Sequence, residues 1–289
     1  MSNTIELAKS FVPKLDECYR LASLTSVLDG APELAKQGAN ANELIIPMMS
    51  MDGLADYSRN GGYVQGGVTM TNETVKCNFD RGRRFDVDVM DDLETAGLAF
   101  GRLSAQFIRD KVVPELDAFR FASYCGISGV TKKGETLADG AATVAALSAA
   151  VTAMDDEEVT ATGRYLFITP TLLQGINDMD TTKSKKVLEG FEQVIKVPQR
   201  RFYTAIKQLS GKTGEEAGGY TKATGAANIN FAIVQKDALI QYTKHAAPKI
   251  IAPENNPDAD AYVFGYRMVG IAKAYKNMLS GMYFSHDKA

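Results

Sequence analysis

The amino-acid sequence predicts an α+β fold, and three observations carry that expectation. A glycine-rich polar tip, residues 54 to 67, is flanked on both sides by β-patterned runs. A long helical pattern follows, with apolar residues at steps of three and four from Leu93 to Phe107. Beyond it, short helical and β stretches succeed one another without the regular strand–helix–strand alternation of a parallel sheet.

In chain order, residues 1 to 41 read as an arm with a short amphipathic stretch from Leu15 to Leu28, bounded by Pro13 and by Asp29, Gly30 and Pro32. Asn42 to Met51 reads as a strand through Leu44, Ile45, Ile46, Met48 and Met49, with Pro47 marking an edge or a bend. The tip from Leu54 to Gly67 has too few apolar residues to form a core, so it should project. A hairpin of this kind is marginal alone and should gain order by lying on another subunit. Thr71 to Val89 reads as the returning strand. Its end puts Phe85, Val87 and Val89 on one face and Arg84, Asp86 and Asp88 on the other.

The helix has an N-cap at Asp91, a capping-box partner at Glu94 and a further acid, Asp92, at the positive end of its dipole. Leu93, Ala96, Phe100, Leu103 and Phe107 form its buried stripe. Pro114 should kink the helix or make it restart, with Glu115 to Phe119 continuing beyond. The whole element would be roughly 30 residues, or about 45 Å, long.

Asp139 to Met154 is an alanine-rich helix with Val144, Leu147 and Val151 at helical spacing, followed by the acidic run Asp155 to Glu158. Tyr165 to Thr169 reads as a buried strand, with Pro170 starting the next helix, and Gln193 to Val197 as another strand. Ser210 to Asn228, rich in glycine, reads as a surface loop. Ile229 to Val234 is a strand and Asp237 to Tyr242 a helical turn or short helix. Residues 250 to 252, 261 to 268 and 271 to 277 are further β candidates.

At 289 residues and 45% hydrophobic, the chain can bury one large core or two smaller lobes. A net charge of -3 argues against electrostatically driven nucleic-acid binding. Cys18, Cys77 and Cys125 are odd in number and lack C-x-x-C spacing, which disfavours a disulfide framework or a zinc cluster and suits a reducing cytoplasm. Residues 1 to 10 lack the apolar core of a signal peptide, and no apolar run of membrane-spanning length is present.

Catalytic readings fail on spacing. Gly211, Lys212 and Thr213 match the end of a phosphate-binding loop, but such a loop needs glycine where this chain has Ile206. Asp86, Asp88, Asp91, Asp92 and Glu94 are accounted for by strand alternation and capping, without the spacing of a Ca²⁺ loop. His245 and His286 leave few members for a catalytic triad, and His245 reads as a surface residue. No catalytic, cofactor-binding or metal residue is expected.

A family resemblance runs through these elements in order. It is carried by Asp56-Tyr57-Ser58-Arg59, by Arg84-Phe85-Asp86-Val87-Asp88 and by the stretch from Val112 to Ala118 with Pro114, Glu115 and Asp117. Arg164 to Pro170, Val197 to Tyr203 and Asn230 to Tyr283 continue it. The chain resembles the major capsid protein of tailed bacteriophages, from about residue 42 to the end. The resemblance implies a lambdoid-type coat fold divided into an N-terminal arm (1–41) lying over a neighbouring subunit, an extended loop (42–90), and a spine helix with part of a peripheral domain (91–135). An axial domain (136–248) and return strands of the peripheral domain (249–289) complete it.

It further implies a structural protein, not an enzyme, that forms hexamers and pentamers of an icosahedral shell around double-stranded phage DNA. Assembly would take place in the host bacterial cytoplasm with scaffolding, portal and decoration proteins, and without a membrane. The tip holds no lysine, unlike relatives that crosslink a loop lysine to a neighbour's asparagine. Tyr57, Arg59 and Tyr63 at the tip are interface candidates, because aromatic and arginine side chains dominate contact energetics. Arg81, Arg83 and Arg84 are expected to pair with acidic groups between subunits, and Glu115 and Asp117 complete the interface set. An encapsulin-like compartment with the same fold is the alternative. A phosphate-transferring enzyme using residues 211 to 213 would have to bind nucleotide.

Overall fold

One helix joins two sheets in this computed structural model, which describes residues 23–30, 36–37, 43–89 and 105–288. The expected N-cap at Asp91, its partners Asp92 and Glu94, and the stripe residues Leu93, Ala96, Phe100 and Leu103 lie outside the described residues, as do Cys18 and most of the amphipathic stretch from Leu15. Strand β1 (Lys36–Gln37) flanks β2 (Glu43–Met51), which pairs antiparallel with β3 (Val68–Lys76). The single run expected from Thr71 to Val89 is two strands, because β4 (Phe79–Asp88) leaves the hairpin for another sheet. Asn78 fixes that corner. Its side-chain amide donates to the Ala272 carbonyl (2.9 Å) and accepts from the Ala272 N–H (3.0 Å), substituting for a backbone pair.

From residue 105 the described chain is helical, passes through a π-helical segment, Ile108–Val112, and restarts as α1 (Val113–Gly126). Pro114 lies in the first turn of α1, where a missing N–H costs little, and the wide π turn absorbs the disturbance before it. Then follow β5 (Thr131–Gly134), α2 (Gly140–Asp156), β6 (Arg164–Ile168), α3 (Pro170–Asp178), α4 (Thr182–Glu189) and β7 (Gln193–Lys196). Asp139 caps α2 by accepting from the Ala142 N–H at 2.7 Å. Strands β8 (Ile206–Gln208) and β9 (Tyr220–Lys222) form a small hairpin. The segment expected to be only a loop, 210–228, therefore holds a strand of its own.

The remaining strands are β10 (Ile229–Gln235), β11 (Leu239–Ile251), β12 (Ala261–Ala274) and β13 (Met282–His286). Where a helical turn was expected over 237–242, a single 3₁₀ turn, Lys236–Ala238, leads straight into β11. Cross-strand pairing overrides the local signal there, since β11 runs along β12 for nearly its whole length. The sheet order β5-β13-β10-β6-β7 is mixed, with β6 parallel to β7 and β13 parallel to β5. The other three-stranded sheet runs β11-β12-β4 and is wholly antiparallel. The fold is α+β, as expected. Residues 249–289 do not form one set of return strands, however: β12 lies beside β4, whereas β13 belongs to the five-stranded sheet.

Strand alternation sorts the core. On one side of the five-stranded sheet Phe167, Ala232, Val234, Met282 and Phe284 meet α1 through Phe121 and Tyr124. On the other side Leu166, Ile168, Phe231, Ile233 and Tyr283 meet Val144 and Leu147 of α2. Phe121 packs edge-on to Phe167 and Phe202, with centroids 5.1 and 4.8 Å away. Further up the helix, Ile108, Val113 and Leu116 cover Phe79, Phe264 and Tyr266 of the antiparallel sheet. The helix is thus apolar toward both sheets, which is why it is buried nearly all round.

Candidate intersubunit surfaces

The hairpin β2–β3 carries apolar side chains that no described residue covers. Met49 lies opposite Met70, and Met51 opposite Val68, so the four share one face of the ladder. Each leaves more than half of its surface exposed, from 56% at Met49 to 68% at Val68. Leu54 beyond them is wholly exposed. Exposed apolar side chains grouped on one face in this way are the kind of surface that contact sites use.

Local contacts hold the tip. The Gly62 N–H donates to the Ser58 carbonyl at 2.8 Å, and Ser58 Oγ accepts from the Gly61 N–H at 3.1 Å. Gly62 takes a φ of +73°, a left-handed conformation that suits glycine. At its base the Asp52 carboxylate accepts from the Gly67 N–H at 2.7 Å. Tyr57 and Tyr63 pack tilted against each other at 4.9 Å and stay exposed, as does Arg59. All three candidate tip residues therefore stand together on the projection.

The arginine and acid candidates divide. Arg84 is exposed on the outer face of β4, beside Asp86 at 2.8 Å. Arg81 and Arg83 share the opposite face and turn inward onto their own chain. Arg81 donates to Glu115 (2.8 Å) and to the Leu209 carbonyl (2.7 Å), and Arg83 to the Glu216 carbonyl (2.8 Å). Glu115 is buried and accepts also from Gln208. Asp117 is completely buried. For Arg81, Glu115 and Asp117 the expectation of intersubunit pairing is corrected: their partners lie within the subunit. One-sided alternation could place Arg81 and Arg83 together, but not reveal that a hairpin 130 residues away would cover them.

Asp117 is the centre of a network that sequence reasoning missed. Its Oδ1 accepts from Ser23 Oγ (3.0 Å), the Thr25 N–H (3.2 Å) and Thr25 Oγ1 (2.7 Å). Its Oδ2 accepts from the Leu24 N–H (3.1 Å) and Arg201 (3.2 Å). One helical turn on, buried Arg120 donates to Thr25 Oγ1 and Asp29, while Gln241 donates to the Thr25 carbonyl at 2.6 Å. Tyr124 donates to Gln241 at 2.6 Å, and burial pushes its phenol far above its usual range, so it remains a donor. Residues 23–30 are thereby clipped to their own subunit, with Leu28 in the core. The arm expected to lie over a neighbour is anchored, over this stretch, at home. The i, i+3 spacing of Asp117 and Arg120 was the available signal.

Gly211 and Gly214 take positive φ in a turn that leads to no helix, which is not phosphate-loop geometry. His245 is exposed at a bulge in β11. Among the described residues no cluster of three His, Cys, Asp or Glu side chains could hold a metal, and no helix is long and apolar enough to cross a membrane.

No protein-family model and no curated protein matches this chain. Solved structures do. The virus-like particle from Pyrococcus furiosus superposes with a TM-score of 0.60 at 10% identity, over 97% of this chain and 99% of that one. The capsid of Cyanophage P-SCSP1u gives 0.55 at 12% identity, over 88% and 86%. The capsid of Staphylococcus phage Andhra gives 0.56 at 10% identity, over 89% and 83%. A projecting hairpin, a helix shared by two sheets and this likeness define one architecture. The chain has the coat fold of phage capsids.

Proposed function

We propose that this chain is the major shell subunit of a phage capsid, many copies of which form hexamers and pentamers of an icosahedral head around double-stranded DNA. The observation that carries this reading is the apolar face of the β2–β3 hairpin, which finds no surface to bury against among the described residues. Covering those side chains would contribute roughly 1–2 kcal/mol each. A closed symmetric shell repeats the contact at every subunit, so modest interfaces sum.

The tip residues Tyr57, Arg59 and Tyr63, with Arg84, form the rest of the contact set. In this reading the five-stranded sheet with α2 is the axial part, and β4, β11 and β12 with α1 are the peripheral part. The role is geometric and not enzymatic. Scaffolding, portal and decoration proteins are its expected partners, in the host bacterial cytoplasm and then in the virion.

Negative-stain electron microscopy with analytical sizing tests the proposal, using wild type and a Met49→Ser, Met51→Ser, Met70→Ser variant. Wild type should give closed shells or capsomers, and the variant should remain small while keeping its thermal midpoint. Shells of unaltered yield from the variant would remove the hairpin from assembly, and a wild-type monomer under every condition would remove the shell. A second reading, a protein compartment, draws support from the end-to-end likeness to the Pyrococcus furiosus particle. Protein cargo instead of DNA in the purified particle would select it.

A further inference from the structure

A groove of about 850 Å³ opens between β4, the π segment and the β8–β9 hairpin. Its floor is apolar, with Phe79, Tyr266 and Met268 buried and Phe107 half-buried. Its rim is cationic. Lys111 on the π segment and Arg200 on the 3₁₀ turn Gln199–Arg201 both reach it exposed, and neither side chain has an acidic partner among the described residues. Arg83 and Lys222 add to the charge. The acids at the groove are already engaged, Asp110 with Arg109 at 3.3 Å and Glu115 with Arg81 at 2.8 Å.

This is a local concentration of positive charge on a chain whose net charge is -3. Its rim is also built. Arg83 Nη1 lies 3.0 and 2.9 Å from where side-chain carbons on Gly211 and Gly218 would be, so both glycines leave room for the guanidinium to hold the hairpin.

We infer that this groove binds an acidic segment of a separate partner chain, seating bulky apolar side chains on the floor and carboxylates against Lys111 and Arg200. An apolar cavity with a few convergent polar groups fixes orientation, and opposite charge at the rim selects the partner. No described segment of this chain matches both demands. The exposed loop 253–260 carries Glu254, Asp258 and Asp260, but its apolar residues are only proline and alanine. The exposed apolar hairpin carries Asp52 and Asp56, offset by Arg59. Single-stranded nucleic acid needs flat stacking surfaces along a basic track, and a concave aliphatic and aromatic floor suits side chains better.

Fluorescence anisotropy of a labelled peptide alternating Glu and Asp with Leu and Phe, titrated with the unassembled protein, tests the inference independently of shell formation. Micromolar binding is expected. It should weaken at least about tenfold when Gln and Asn replace the acids, when Ser replaces Leu and Phe, and in the Lys111→Glu, Arg200→Glu variant. Should that variant fail to fold, Arg200→Gln and photo-crosslinking of the peptide to wild type read the same contact, with crosslinks expected on β4 and β9. No peptide binding, binding indifferent to the rim charges, tighter binding of an oligo-dT, or crosslinks elsewhere would each overturn it.

Discussion

Replacing Asp117 by alanine removes a fully buried carboxylate that accepts from Ser23, Leu24, Thr25 and Arg201. The side chain of Arg201 is itself mostly buried, and its Nε has no acceptor among the described residues, so the guanidinium would lose a main compensation. Leaving a buried donor unsatisfied costs about 1–3 kcal/mol, and removing one partner of a buried charge pair about 3–5 kcal/mol. These contributions overlap, because all pass through one carboxylate, so about 3–5 kcal/mol is expected for the whole substitution. Asp117→Asn should cost about as much, since its NH₂ would face donors at one of the two oxygen positions. Urea denaturation of the unassembled protein measures the cost, and limited proteolysis should show residues 23–30 cleaved first in both variants. A loss below about 1 kcal/mol, or unchanged cleavage there, would refute the view that the network clips this segment to the helix.

Gly140→Ala would press a Cβ into the Gly175 carbonyl, 2.7 Å from its carbon, at the crossing of α2 and α3, and about 1–3 kcal/mol should be lost in the same denaturation assay. An unchanged midpoint would mean that the helices separate without cost. Burial pushes the Cys125 thiol up to about 11, so it should resist thiol reagents at neutral pH in the native protein and react only with unfolding; labelling at the rate of a free thiol would contradict the packing. Contact with Lys207, then with the Ser210 N–H, holds the Glu215 carboxyl down to about 2. A depressed carboxyl contributes stability above its ordinary value of 4.5 and loses it as pH falls through about 2. An NMR titration should find that midpoint in wild type and a higher one in Lys207→Met, and identical midpoints would dismiss the ion pair.

Much of the fold was legible because it rests on short-range periodicity. Asp139 and Pro170 marked helix starts, the glycine-rich tip marked the hairpin, and the alternation at Phe85 and Val87 assigned a strand face that the structure shares. Pro114 announced the restart of the helix. Errors arose where the deciding contact is distant. Asn78 breaks an otherwise continuous β run because Ala272 lies beside it, and β11 extends through a helix-like stretch because β12 pairs with it.

The candidate contact set shows the same division. Sequence by itself placed Tyr57, Arg59 and Tyr63 on a projection, since glycine and polar residues cannot bury one another, and it grouped Arg81 with Arg83 through the two-residue period of a strand. Only tertiary structure decided which charges face outward. Arg84 stays exposed, whereas Arg81, Glu115 and Asp117 find partners that come from residues 23–25 and 201–219. Composition and periodicity report whether a side chain can be buried; which group satisfies its charge depends on segments brought together only when the chain closes on itself.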